Sequence, residues 1–294
     1  MVKLGVIFRR LTNQDFKLLK LLERALFRFE YVPIEWIASR IDMPPKELDA
    51  RLRKLRSFKV IRKHTTMPAY RLTFLGLDCL ALKELVDRNV VAALGDKIGV
   101  GKESDVYKAL TPDNKLASIK FHRIGRTSFK KVVLHRDYGL KFERSDWLIR
   151  SIISGKRELE ALRILNNVNA LVPNALGGAK HAVVTEYLEG VELYEVKELL
   201  NPKDVLWNII ETIKKAYKEA GIIHGDLSEY NVLIVISDEK EIPYIIDWPQ
   251  WIAVVDPNAQ NLLERDVRYI VRFFRKRFRL DISEEEVLRY VKSE

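Results

Sequence analysis

The chain reads as an α+β protein of two domains, a small helix-and-hairpin domain over residues 1–92 and a larger bilobal one over 93–294. Three observations predict this. Apolar residues recur at helical spacing through the first ninety positions, interrupted by two short strand-like runs. From Asp96 the pattern turns to glycine-punctuated strands, then a long helix, then mixed elements. The net charge of +10 is also uneven: residues 1–92 carry an excess of nine positive charges, and residues 93–294 an excess of one. A basic segment beside a near-neutral one suggests that the first meets a polyanion and the second does something else.

Apolar residues make up 47% of the chain, which is enough for a packed core rather than disorder. No run approaches the roughly 18 apolar residues of a membrane span. The apolar stretch near Met1 is too short for a secretory signal. Cys79 is the only cysteine, so no internal disulfide and no cysteine zinc site can form. These features predict a soluble cytoplasmic protein with no membrane and no disulfide-linked partner.

In the first domain, Thr12 with Asp15 three residues on suits a helix cap, and Phe16, Leu19, Leu22 and Leu26 then share a face. Pro33 opens a second helix through Ile37 and Ile41. Pro44 and Pro45 open a third, with Leu48, Leu52 and Leu55 inward and Lys46, Arg53, Lys54 and Arg56 outward. The runs 59–64 and 69–73 form a hairpin, and a last helix runs from Thr73 to about Asn89. Helix, turn, helix and basic hairpin is a winged-helix pattern. Arg53, Lys54 and Arg56 on its third helix and Lys59, Arg62 and Lys63 on the hairpin are candidates for nucleic-acid phosphates. The alternative is a winged helix used for packing against protein.

The second domain carries the chemistry. Gly99 and Gly101, two apart between apolar runs, suit a strand–turn–strand loop whose backbone N–H groups approach phosphates, with the Ser104 hydroxyl beside them. Lys102 and Glu103 lie inside that loop. A strand, residues 117–120, ends in Lys120. In kinases a lysine so placed pairs with a glutamate on a later helix, whereas a lysine on an edge strand otherwise only faces solvent. Glu158 shares a face with Ala161, Leu162 and Leu165 and points inward, whereas Glu160 points to solvent, so Glu158 is the partner. Asp226 and Asn231 stand five apart in the loop HGDLSEYN, the spacing of a kinase catalytic loop. A strand over 232–236, a polar turn over 237–241 and a return through Tyr244 would bring Asp247 back beside Asn231. Two oxygen ligands there suit Mg2+.

These motifs resemble the RIO family of atypical serine/threonine protein kinases, in its winged-helix, type 2 branch. The segments that carry the resemblance are GKESDVY (101–107), IKFHRIGRTSFK (119–130), HGDLSEYN (224–231) and IDWPQ (246–250). It implies a bilobal kinase-like domain with an N-lobe over about 93–184, a hinge over 185–190 and a C-lobe over 191–294. It implies ATP with Mg2+, or Mn2+ in its place. Lys120 and Ser104 would meet the phosphates. Glu186 and Leu188 would supply hinge contacts to adenine, with Val106 and Ala117 lining its pocket. Asp226 would accept the proton, and Asn231 and Asp247 would hold the metal. Members of the family are described as autophosphorylating serine kinases. The type 2 branch is also described as an ATPase that passes through a phospho-aspartate, here at Asp247. The implied partners are the pre-ribosomal small subunit and its ribosomal RNA. The alternative role is a non-catalytic, ATP-bound RNA-binding assembly factor.

The chain departs from ordinary protein kinases. Gly225 replaces the arginine that pairs with a phosphorylated activation loop, Ser228 stands where many kinases place a lysine, and no A-P-E follows Asp247. These departures favour ATP hydrolysis coupled to a switch over efficient phosphorylation of free peptides. The basic segment 122–150 holds Ser128, the candidate autophosphorylation site. A second basic cluster, Arg272 to Arg279, either touches RNA or complements a helix C-terminus.

Overall fold

The computed structural model describes residues 4–101, 103–125 and 147–293. The chain forms two compact units, residues 1–156 with 177–184, and residues 157–176 with 185–294.

The first unit opens with α1 (Leu4–Arg10), a helix with no counterpart in the sequence reading, whose Leu4 and Ile7 are buried. In α2 (Asn13–Arg24), the capping box closes as expected: the Thr12 N–H donates to Asp15 at 2.8 Å and the Asp15 N–H to Thr12 Oγ1 at 3.4 Å. Next comes a short strand β1 (Val32–Pro33), then α3 (Ile34–Ala38). The second helix therefore ends at Ala38 rather than reaching Ile41. The third, α4 (Pro45–Ser57), buries Leu48, Leu52 and Leu55 as their spacing requires. The hairpin is β2 (Ile61–Lys63) and β3 (Ala69–Leu72), and β1 pairs along the other side of β3. Thr73 caps α5 (Phe74–Asp87), which is buried from Gly76 to Leu82 and at Leu85, and turns Lys83, Glu84 and Asp87 outward at its C-terminal end.

A five-stranded sheet follows: β4 (Ala93–Val100), β5 (Ser104–Leu110), β6 (Leu116–His122), β7 (Ala175–Ala179) and β8 (Ala182–Glu186), in the order β4-β5-β6-β8-β7. Ala117, Ile119 and Phe121 alternate on its inner face and join one core with the N-terminal helices. The helix α6 (Trp147–Asn167) begins in this unit and ends in the second.

In the second unit, β9 (Gly190–Glu192) lies at one side of a sheet completed by β11 (Val232–Ser237) and β12 (Lys240–Ile245). The strand β10 (Ile222–Ile223) pairs with β13 (Ile252–Ala253). Three amphipathic helices pack around them: α7 (Pro202–Lys218), α8 (Ala259–Phe278) and α9 (Glu284–Lys292). Ser283 caps α9 by accepting the Glu286 N–H at 3.0 Å. Arg277, in the last turn of α8, donates to the carbonyl of Val196 at 3.1 Å. Among the described residues no helix is long and apolar enough to cross a membrane.

Candidate active site

The first unit carries the glycine loop and the lysine. Gly99 pairs with Val106 and Val100 with Asp105, so β4 and β5 form a hairpin whose turn the Gly101 N–H closes onto the Ser104 carbonyl at 3.0 Å. A Cβ on Gly101 would lie 2.9 Å from Ser104 Oγ, so any side chain there would make the serine hydroxyl move. Lys120 lies opposite Val106 in the β5–β6 ladder, and residues paired across an antiparallel ladder share a face.

That register corrects one expectation. Ala117 is three residues from Lys120, so it points to the opposite face and is fully buried in the core. It does not line a pocket with Val106 and Lys120. Ser118, paired with Lys108, shares the lysine's face. Lys102 and Ser128 lie outside the described residues.

The second unit carries the candidate catalytic loop, residues 224–231. The β10–β13 pair holds the chain just before His224, and β11 picks it up just after Asn231. Inside α8, Asp266 is buried, and its two oxygens accept the Gly225 N–H at 2.8 Å and the Leu227 N–H at 3.2 Å. Burial raises its pKa, against the lowering effect of His224, the Gly225 N–H and Arg265. The Asp226 N–H donates to His224 Nδ1 at 3.2 Å, which places the imidazole proton on Nε2, donated to the carbonyl of Ile246 at 3.0 Å. Gly225 has φ +77°, and a Cβ there would lie 2.9 Å from the Gln250 carbonyl. Glycine thus stands in place of arginine for a backbone reason.

The expected hairpin forms. Val232 pairs with Ile245, and the turn is Asp238 and Glu239, both at positive φ, as a two-residue hairpin loop demands. The Ile246 N–H donates to the Asn231 carbonyl at 2.9 Å, which sets Asp247 beside Asn231. Asp247 itself has φ +67°, a left-handed conformation that aspartate tolerates better than most residues. The buried Trp248 pins it by donating Nε1–H to the Ile245 carbonyl at 3.0 Å. Gln250 reaches back and donates to Asp226 Oδ2 at 3.0 Å. Asn231 donates its amide to the Asp226 carbonyl at 2.8 Å, which fixes the orientation of its own oxygen.

Asn231 and Asp247 thus offer one amide and one carboxylate oxygen, hard donors that suit Mg2+. Among the described residues no group of three His, Cys, Asp or Glu side chains could hold a metal. The donor set therefore fits an ion that takes its remaining ligands from phosphates and water, as Mg2+ commonly does.

Glu158 is 4% exposed on α6, in keeping with its assignment to the inward face. One residue before it, Arg157 donates to the carbonyls of Pro249 and Trp251, and Trp251 Nε1–H returns a bond to the Arg157 carbonyl at 2.9 Å. Glu186 accepts the Asn174 N–H at 2.9 Å, and Leu188 is half-buried two residues on. In the winged helix, Arg56, Lys59, Arg62 and Lys63 are exposed around a hollow they share with His64 and Thr73. Lys54 instead holds the fully buried Asp15 at 2.6 Å, and Arg53 is exposed beside Asp49 at 3.0 Å.

A family model of the RIO domain matches residues 105–287, and one of the Rio2 N-terminal domain matches residues 8–88. The chain belongs to the RIO family, in its Rio2 branch. The RIO-type serine/threonine-protein kinase Rio2 of Methanocaldococcus jannaschii is 37% identical over 263 residues, 88% of this chain and 94% of that relative. The serine/threonine-protein kinase rio2 of Dictyostelium discoideum is 35% identical over 271 residues, 92% of this chain. That match covers 51% of the Dictyostelium protein, so this chain spans about half its length. The fold is similar to the Rio2 kinase–ADP/Mg2+–phosphoaspartate complex from Chaetomium thermophilum, with a TM-score of 0.81 and 29% identity over 98% of this chain and 88% of that one.

The RIO motifs single out the candidate reacting groups but not the residues that support them. Asp266, Gln250, His224 and Arg157 were not among the sequence candidates. Asp266 left a signal: it sits with Leu263, Val267 and Ile270 on the apolar stripe of α8, and a carboxylate there needs donors. Gln250 had only its place in the RIO motif IDWPQ.

Proposed function

We propose that this chain is an ATP- and Mg2+-dependent serine/threonine kinase of RIO type. Its parts are a winged helix over 1–92, an N-lobe over 93–184, a hinge over 185–190 and a C-lobe over 191–294. One observation carries this reading. The hairpin of β11 and β12 sets Asp247 beside Asn231, and Gln250 ties the same segment to Asp226. Asp226 takes the proton of the attacking hydroxyl. Asn231 and Asp247 hold the ion, which when bound neutralises charge on the phosphate oxygens. Lys120 meets the α- and β-phosphates, and the carboxylate of Glu158, buried on its helix, needs a cation.

The reading extends to ATP hydrolysis. Asp247 attacks the γ-phosphorus, ADP leaves, and water then cleaves the acyl phosphate. The phosphoaspartate of the Chaetomium relative supports this. The absence of a peptide-docking A-P-E segment and of the activation-loop arginine supports it too. In the cell the chain works on the pre-ribosomal small subunit. The basic hollow at the end of α4 supports contact with ribosomal RNA and equally favours a second reading, an ATP-bound assembly factor that needs no turnover.

The test is transfer of labelled γ-phosphate in Mg2+. Asp226→Ala and Asp247→Ala should each lose at least about a hundredfold, and Asp247→Ala should show no hydroxylamine-labile acyl phosphate. Normal transfer by Asp247→Ala would overturn the assignment. If Asp226→Ala still supports ribosome maturation while Lys120→Ala does not, the second reading stands.

A further inference from the structure

Arg123 is 6% exposed and lies inside the first unit. Its guanidinium forks onto both oxygens of Asp78, Nη1 to Oδ1 and Nη2 to Oδ2, each at 2.7 Å. Its Nε donates to Asp105 Oδ2 at 2.9 Å. Asp78 also meets His181 Nε2 at 2.8 Å, and Lys97 meets Asp105 Oδ1 at 2.5 Å. Asp78 comes from α5 of the N-terminal domain, Asp105 from the start of β5, and Arg123 from the residue after β6.

The backbone of the same arginine holds the glycine loop. The Arg123 N–H donates to the Glu103 carbonyl at 2.6 Å, and the preceding residue, His122, pairs with Ser104. The residue anchored through its side chain by α5 therefore grips, through its main chain, the turn that Gly101 and Ser104 close.

We propose that Asp78 and Arg123 are positioning residues for the phosphate-facing loop, through which the N-terminal domain sets the affinity for ATP. The inference rests on the reading of residues 99–104 as a phosphate-binding loop. A buried ion pair is a poor source of stability, because the cost of removing both charges from water cancels much of their attraction. Its geometry is another matter. A guanidinium forked onto one carboxylate and bonded by Nε to a second is satisfied in one orientation only. That orientation fixes the main chain at residue 123 and hence the Glu103 carbonyl. A loop punctuated by glycines has little rigidity of its own and takes its shape from such an external hold.

The test compares binding of MgATP and of adenosine, by calorimetry, to the full chain, to Arg123→Lys and to Asp78→Asn. Arg123→Lys keeps the charge and loses the fork; Asp78→Asn keeps the shape and loses an acceptor. The expected result is a loss of roughly tenfold to a hundredfold in MgATP affinity with adenosine affinity unchanged. Folded variants that bind MgATP as the parent does, or that lose both ligands equally, would overturn the proposal. If the parent binds MgATP no more tightly than adenosine, the reading of the loop itself fails and the proposal falls with it. Should Arg123→Lys not fold by circular dichroism, Asp78→Asn decides alone on the same two outcomes.

Discussion

At Gly225 one missing side chain serves two needs. The left-handed φ places the Asp226 backbone against His224, and the open space admits the carbonyl of Gln250, the residue that holds the Asp226 carboxylate. Gly225→Ala should therefore cost about 1–2 kcal/mol in backbone strain alone. It should also push Gln250 away and lower kcat for phosphate transfer. Thermal melts and initial rates on one preparation check both effects. A variant that loses stability but keeps its kcat would show that Gln250 does not orient Asp226. Asp247 shows the same pattern in another form, because a non-glycine residue at φ +67° persists only where its neighbours over-determine it. Here they are the Ile246–Asn231 bond and the buried indole of Trp248.

Among the elements, α8 does more than fill the core of the second unit. It delivers one carboxylate under two N–H groups of the candidate catalytic loop, those of Gly225 and Leu227. Asp266→Ala would leave the Gly225 and Leu227 N–H groups buried and unsatisfied, at a cost of about 2–4 kcal/mol. The expected outcome is a lower denaturation midpoint with an unchanged slope, together with a lower kcat. In the first unit, His181 is fully buried and desolvation lowers its pKa, against the raising effect of Asp78. The sign follows directly. Below the ordinary histidine value of 6.5, the unfolded chain takes up a proton that folded His181 refuses. Stability is thus fully present above that pH and falls as pH drops towards the folded value, by up to about 1.4 kcal/mol per unit. His181→Gln should flatten this part of the stability–pH curve between pH 7 and 5. An unchanged slope would assign the acid sensitivity to other groups.

For the whole molecule, the charge division has a functional consequence. If the winged helix carries the RNA-binding face, neutralising Arg56, Lys59, Arg62 and Lys63 together should weaken RNA binding and reduce its salt slope by about one for each phosphate no longer neutralised. MgATP affinity should hold. Lys54 belongs in a different experiment, since it neutralises buried Asp15, and its removal tests stability rather than binding. The relevant readings are filter binding across a salt series and nucleotide titration. A salt slope that stays the same would place the RNA-binding face elsewhere, for example on the basic end of α8.

The chain's local signals were enough to place the winged helix, the glycine loop, the Asp226–Asn231 spacing and the hairpin back to Asp247. Each is written in neighbouring residues: caps, apolar periods, turn residues and short motifs. The inward orientation of Glu158 was legible for the same reason, because helical spacing assigns a face without knowledge of what lies opposite. Strand alternation could have assigned Ala117 to the core face as well, yet only the ladder register made its separation from Lys120 plain. What the tertiary structure alone decided are the supports brought in from distant sequence. They include Asp266 beneath the catalytic loop, Gln250 on Asp226, and Asp78 and Asp105 on Arg123. A buried charge needs its partner in space rather than in sequence, and no spacing rule names a partner 45 residues away.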